Sequence, residues 1–267
     1  MTAYSNLISD SVLVGDTINL LKHHGGKLAA SVVADEVFGV RAADEEFARK
    51  LVEDMTAEDP RLQFNADNTI ELIAPNFDAR KLAEAEFVVF DTETTGAKPP
   101  FARMTEIGCY KVRNYEIIGE FKSLVNPHTI IPINIVALTG ITNEMAQEAP
   151  NFFEIMPELL AFIGDSILVA HNAGFDMRFL NYEIGRVVPR RKLINPNLCT
   201  VRLSRKLLPN VKNHRLHTIA EHFGITIHNR HRAFGDALAT AQIFVEFLKM
   251  FGKKGLTDVA SLRQLKY

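Results

Sequence analysis

The chain has 267 residues, 47% of them hydrophobic and 23% charged, with a net charge of -2; a disordered chain, poor in apolar residues, is excluded. No run approaches the ~18 apolar residues a membrane span needs, the first residues lack the basic and apolar stretches of a secretory signal, and two cysteines, Cys109 and Cys199, cannot build a disulfide framework. The expectation is a protein of the reducing cytoplasm with no membrane partner.

The charge is uneven along the chain. Residues 1–80 carry 7 Lys and Arg against 14 Asp and Glu, whereas residues 81–267 carry 23 against 18. An acidic front and a basic back predict units with different partners: a small domain over 1–80, a larger one over 81–250, and a tail over 251–267. In the front unit, residues 16–23 form a helix stopped by Gly25-Gly26, and residues 29–38 form a helix closed by Gly39. Residues 43–55 form a third, with Phe47, Leu51, Val52 and Met55 on one face. RLQF and TIELI, joined by Asn65–Asn68, read as a hairpin. Three helices and a hairpin resemble a winged helix in order and length. The third helix carries Asp44, Glu45, Glu46, Glu53 and Asp54, which would repel DNA. A protein-docking or packing role is therefore favoured over DNA reading. The GGKL string is no phosphate loop, because Leu28 stands where a Ser or Thr is needed.

Pro75–Arg80 reads as a linker, and beyond it strands alternate with helices. Phe87–Phe90 is a buried strand; residues 103–113 and 115–125 form a hairpin around Asn114. Helices are expected at 151–163 and 174–187, with a second buried run, Ile167–Ala170, between them. The last helix, 235–250, carries an apolar stripe of Leu238, Ala241, Val245 and Leu248. This is an α/β layered domain.

Three places carry chemistry. Asp91 and Glu93 follow the first buried strand, and residues two apart in a strand point to one side. Two acids held together repel unless a proton or cation sits between them, and a hard divalent ion prefers such oxygens. Asp176 follows the second buried run near the start of a helix. Asp236 opens the final helix, with His231 five residues upstream. Taken singly, an acid at a helix start is a cap and a loop histidine is solvated.

Taken together, FDTETTG, HNAGFD and HRAFGDA resemble, in that order, the three motifs of the DEDDh 3′→5′ exonucleases, typified by the proofreading epsilon subunit of bacterial DNA polymerase III. The resemblance covers about residues 86–249. It implies a ribonuclease H-like fold, a mixed five-stranded sheet flanked by helices. It also implies that Asp91, Glu93, Asp176 and Asp236 hold two divalent cations, Mg2+ or Mn2+, and that His231 is the general base for hydrolysis of a terminal phosphodiester. The product would be a nucleoside 5′-monophosphate from a single-stranded or frayed 3′ end. The backbone at Glu93 and Thr94 would receive the terminal 3′-hydroxyl. Leu138, Gly140 and Ile141 lie in an LTGIT segment like the family's wedge loop; His171, Asn172 and Phe175 would meet the terminal nucleotide, Phe175 by stacking.

Nine cations lie between Glu183 and Glu221 with no acid among them: Arg186, Arg190, Arg191, Lys192, Arg202, Arg205, Lys206, Lys212 and Arg215. They read as a track for a phosphate backbone. His214, His217, His222 and His228 lack the spacing of a zinc site. A 3′→5′ exoribonuclease of the same family, a non-catalytic nucleic-acid adaptor and a winged-helix regulator are the competing expectations.

Overall fold

The computed structural model describes residues 4–40, 45–57, 59–73 and 77–264. The chain divides into two compact units: Met1–Pro75 with Val188–Ile194, and Asn76–Val187 with Asn195–Tyr267. The return of residues 188–194 to the first unit breaks the continuous 81–250 domain expected from sequence.

The first unit runs β1 (Leu7–Ser9), α1 (Val12–His23), β2 (Lys27–Ala29), α2 (Ala30–Phe38), α3 (Glu45–Thr56), β3 (Leu62–Phe64) and β4 (Thr69–Leu72). The three helices and the β3–β4 hairpin stand where expected, and β2 adds a third strand in the order β2-β4-β3. Leu21, Val33, Val52 and Ile70 are fully buried at its centre. Gly39, at φ +66°, ends α2 in the left-handed region that favours glycine. One expectation fails: α3 buries Ala48, Val52 and Thr56, so Phe47 turns outward and is 54% exposed. Residues 43 and 44 of the expected helix lie outside the described residues.

The second unit contains β5 (Phe87–Thr94), β6 (Met104–Arg113), β7 (Glu116–Leu124), α4 (Ile133–Thr139), α5 (Asn143–Glu148), α6 (Phe152–Ile163), β8 (Ile167–Ala170) and α7 (Gly174–Val187). After β9 (Arg191–Leu193), which pairs antiparallel with β1 in the first unit, it resumes with β10 (Asn197–Cys199), α8 (Thr200–Leu207), α9 (Leu216–His222), α10 (Ala233–Lys253) and α11 (Val259–Arg263). Its sheet is five-stranded and mixed, in the order β10-β8-β5-β6-β7. β10, β8 and β5 are parallel, while β6 and β7 are antiparallel to their neighbours. This is the ribonuclease H-like architecture the motifs implied. A capping box between Asn151 and Glu154 starts α6.

Of the expected linker, Pro75 and Asn76 lie outside the described residues. From Phe77 the chain is packed: Arg80 Nη2 stands 2.6 Å from Asp165 Oδ2. The described part of the expected tail is packed too. α10 continues to Lys253, and α11 buries Val259 and Leu262.

Candidate active site

β5 does not stop before its acids, as the sequence reading had it; the strand runs through Asp91 and Glu93 to Thr94. Its antiparallel pairing sets Asp91 opposite Gly108 and Glu93 opposite Glu106 on β6, with a bulge between Glu93 and Thr94. Gly108 has a steric purpose. A Cβ there would lie 2.5 Å from Phe234 Cα and 2.7 Å from the Ala233 carbonyl carbon. Its absence lets the first turn of α10 rest on the strand beside Asp91, which brings Asp236 to β5.

Asp91, Glu93 and Asp236 each offer an oxygen, and these atoms all lie within 4.8 Å of one another. Asp176, at the start of α7, is bound through Oδ1 by the Thr92 N–H (3.1 Å) and the Thr92 hydroxyl (2.8 Å). Its charge is close enough to act on both Asp91 and Glu93. Burial, followed by repulsion from Asp176, Glu93, Asp236 and Glu106, holds the Asp91 carboxyl well above the ordinary carboxylate range. Burial and the charges of Asp236, Glu106 and Asp176 push Glu93 up to about 8, against a smaller pull from Arg232. Burial raises Asp176 to about 7 despite the hydrogen bonds from Thr92. Burial also raises Asp236, opposed by His231 and Arg230.

Such acids want a counter-charge, and the donor set tests whether a metal fits. Asp236 Oδ1 is buried with no hydrogen-bond partner, a costly state for a carboxylate oxygen. Its carboxylate belongs to a cluster of carboxylate oxygens, the ligand type of hard divalent cations. The residues therefore fit such an ion. Asp236 Oδ2 accepts the backbone N–H of His231 at 3.1 Å, and His231 takes a φ of +62° to make this bond.

The remaining expected residues fall into two groups. Leu138, at the end of α4, is 50% exposed, and Gly140 (φ +71°) caps that helix. Asn172 is exposed at φ +74°, and Phe175 is half-buried with its ring 5.0 Å from that of Phe179. These can face a ligand. Ile141 is fully buried with Ile131 and Ala146, so its side chain shapes the α4–α5 corner rather than lying open as Leu138 does. The Thr94 hydroxyl is spent on the Gly96 carbonyl at 2.7 Å. The His171 ring is held by Thr200 Oγ1 at 2.9 Å. Burial pushes it down to about 4, with the His214 backbone working the other way, so it is neutral at ordinary pH.

Sequence reasoning missed Glu106, Arg232 and Thr92, which support the cluster. It also overdrew the basic track. Arg186 pairs with the buried Glu183 at 3.4 Å, Lys192 pairs with Asp10, and residues 190–192 belong with the first unit.

Several known proteins are similar to this chain. The exonuclease family model named for RNase T matches residues 88–244. The PolC-type DNA polymerase III of Bacillus subtilis is 42% identical over 184 residues, 69% of this chain but 13% of that protein. The epsilon subunit of DNA polymerase III from Aquifex aeolicus is 38% identical over 186 residues, 69% of this chain and 92% of the subunit. Among solved structures, exonuclease X in complex with 5′-overhanging duplex DNA superposes with a TM-score of 0.51 at 26% identity, over 62% of this chain and 93% of that one. Exonuclease I of E. coli bound to a dT13 oligonucleotide shares the fold, with a TM-score of 0.56 at 17% identity over 64% of this chain and 43% of that one. The chain thus spans only a small part of the PolC-type relatives, and nearly all of the epsilon subunit. With a matching model over most of its length and a relative it covers almost whole, the chain belongs to the RNase T exonuclease family of enzymes.

Proposed function

We propose that the second unit removes nucleotides one at a time from the 3′ end of single-stranded or frayed DNA and releases nucleoside 5′-monophosphates. The observation that carries this reading is the convergence of Asp91, Glu93 and Asp236 within 4.8 Å of one another, beside His231, in an exonuclease fold. Two Mg2+ or Mn2+ ions held by Asp91, Glu93, Asp176 and Asp236 would supply Lewis acidity to the scissile phosphate and the departing 3′ oxygen. His231 takes the proton of the attacking water, a task suited to an imidazole. Asp236 Oδ2 accepts the His231 backbone N–H and so fixes the backbone that presents the ring. Thr92 turns Asp176 toward the cluster with two hydrogen bonds. Phe175 offers a ring and Leu138 an apolar edge to the terminal bases, and the backbone at Glu93 and Thr94 receives the 3′-hydroxyl.

DNA is preferred over RNA as substrate because the relatives are DNA polymerases and a polymerase subunit. For the same reason we infer work in the cytoplasm beside a polymerase, with residues 1–80 as the docking unit. No described helix is long and apolar enough to cross a membrane.

The test is digestion of matched DNA and RNA oligonucleotides, labelled at either end, by the purified chain with Mg2+. Early release of the 3′ label from DNA as a mononucleotide, abolished by EDTA and by Asp91→Asn, supports the reading. Early release of a 5′ label, or of neither, overturns it.

A further inference from the structure

Many cations of the second unit are opposed. Arg80, Arg103, Lys111, Arg113, Arg186 and Arg232 each stand within 4.0 Å of a carboxylate. Four exposed cations close together in sequence are different: among the described residues, Arg205, Lys206, Lys212 and Arg215 have no ion pair. Arg205 and Lys206 share the solvent side of α8, while Leu203, Ser204 and Leu207 face inward. Lys212 and Arg215 belong to the loop between α8 and α9.

Hydrogen bonds tie this loop to the site. Ser204 Oγ lies 3.0 Å from His214 Nδ1 and donates to the Val201 carbonyl at 2.8 Å. His171, which opens the segment leading to Asp176, is 2.9 Å from Thr200 Oγ1 at the start of α8, and its ring also bonds the His214 backbone. All four cations therefore lie within two residues of Ser204 or His214, groups bonded through α8 to the strand end that carries Asn172, Phe175 and Asp176. A solvated row of like charges repels itself, and holding it beside a phosphodiester site gains from a polyanion lying across it.

Resting on the reading of this unit as a nuclease for polynucleotide ends, we propose that Arg205, Lys206, Lys212 and Arg215 form a track for the sugar-phosphate backbone upstream of the terminal nucleotide. The contacts are ionic and exposed, so the track reads no sequence and sets a preference for strands of several nucleotides.

The experiment is binding of fluorescein-labelled (dT)12, followed by anisotropy in EDTA across a range of NaCl, for the wild-type chain and a variant with all four cations changed to Gln. Each phosphate neutralised on a single strand contributes about 0.7 to the slope of log K against log salt, so the variant's slope is expected to fall by about 2 to 3. A double variant, Lys212→Gln with Arg215→Gln, should lose about half of that, which guards against a poorly folded fourfold variant. Unchanged slopes in both would overturn the track, leaving the cations to a protein partner. Digestion by the wild-type chain with Mg2+ is scored separately. Binding with the expected slopes but without mononucleotide release would support the track while sinking the nuclease reading.

Discussion

The Glu106 carboxylate grips Arg232 with both oxygens, Oε1 to Nη2 at 2.7 Å and Oε2 to Nε at 3.1 Å, and Oε2 also accepts the Ala233 N–H at 2.8 Å. Glu106 stands on β6 across from Glu93, and Arg232 follows His231 in the chain. One buried carboxylate therefore fixes the loop that presents the imidazole and the helix start that presents Asp236. Glu106→Gln keeps a hydrogen-bond acceptor for Ala233 and strips the counter-charge from Arg232. Breaking a fully buried pair costs ~3–5 kcal/mol; with Arg232 34% exposed on its side chain, about 2–3 kcal/mol is expected here. Urea unfolding midpoints measure this, and kcat should fall at least tenfold. An unchanged kcat would mean the loop holds without the pair.

The acid cluster sets a pH dependence for the metal-free protein. Burial and neighbouring charge raise Glu93 to about 8, and burial raises Asp176 to about 7. A carboxyl raised on folding binds its proton more tightly in the folded state, so its contribution is full below the unfolded value near ~4 and is lost as pH rises through the folded one. In EDTA the Tm should therefore fall between pH 5 and pH 8.5. Divalent ions replace the missing protons, so the Tm gain from 10 mM Mg2+ should be larger at pH 8.5 than at pH 5.5. A gain that does not grow with pH would separate metal binding from these acids.

Asp91→Asn isolates the repulsion. Asp91 bears the charges of Asp176, Glu93, Asp236 and Glu106 together, and a neutral amide relieves all of them. At pH 8 in EDTA the variant should melt higher than the wild type, by about 2–4 °C for each kcal/mol relieved in a chain of this size, and it should release no mononucleotides. A lower Tm would show that the acid is held by something other than a cation.

The motif acids were legible because each stands beside an apolar run or a helix start, and the β6–β7 hairpin because two long segments flank Asn114. Glu106 was not. In β6 every residue from Met104 to Tyr110 is buried, so no alternation of apolar and polar residues marks Glu106 as inward or functional. The β1–β9 pair joins two three-residue strands far apart in the chain, too short for any periodicity. Phe47 was assigned to the wrong side of α3 because apolar spacing cannot say which of two adjacent residues faces the core when both are apolar, here Phe47 and Ala48. The shift of residues 188–194 to the first unit left no signal in a stretch read only for its charge.

Gly235 offers a test in which the usual rule for helices changes sign. Replacing a helical glycine by alanine ordinarily stabilises by about 0.5–1 kcal/mol. Gly15 in α1, with nothing within 4 Å of its would-be Cβ, should follow that rule: Gly15→Ala raises the unfolding midpoint of the first unit and leaves digestion unaltered. At Gly235 the added Cβ would sit 2.0 Å from the His228 carbonyl oxygen and 2.8 Å from that of Asn229. Both are backbone atoms of the loop leading to His231, so no side chain can swing away and either the loop or the first turn of α10 must move. Because that turn carries Asp236 and its bond to the His231 backbone, Gly235→Ala should destabilise the chain and cut kcat by about 100-fold or more, the cost of misplacing catalytic groups by an ångström. Normal digestion by Gly235→Ala would show that the loop's position is not what sets the imidazole.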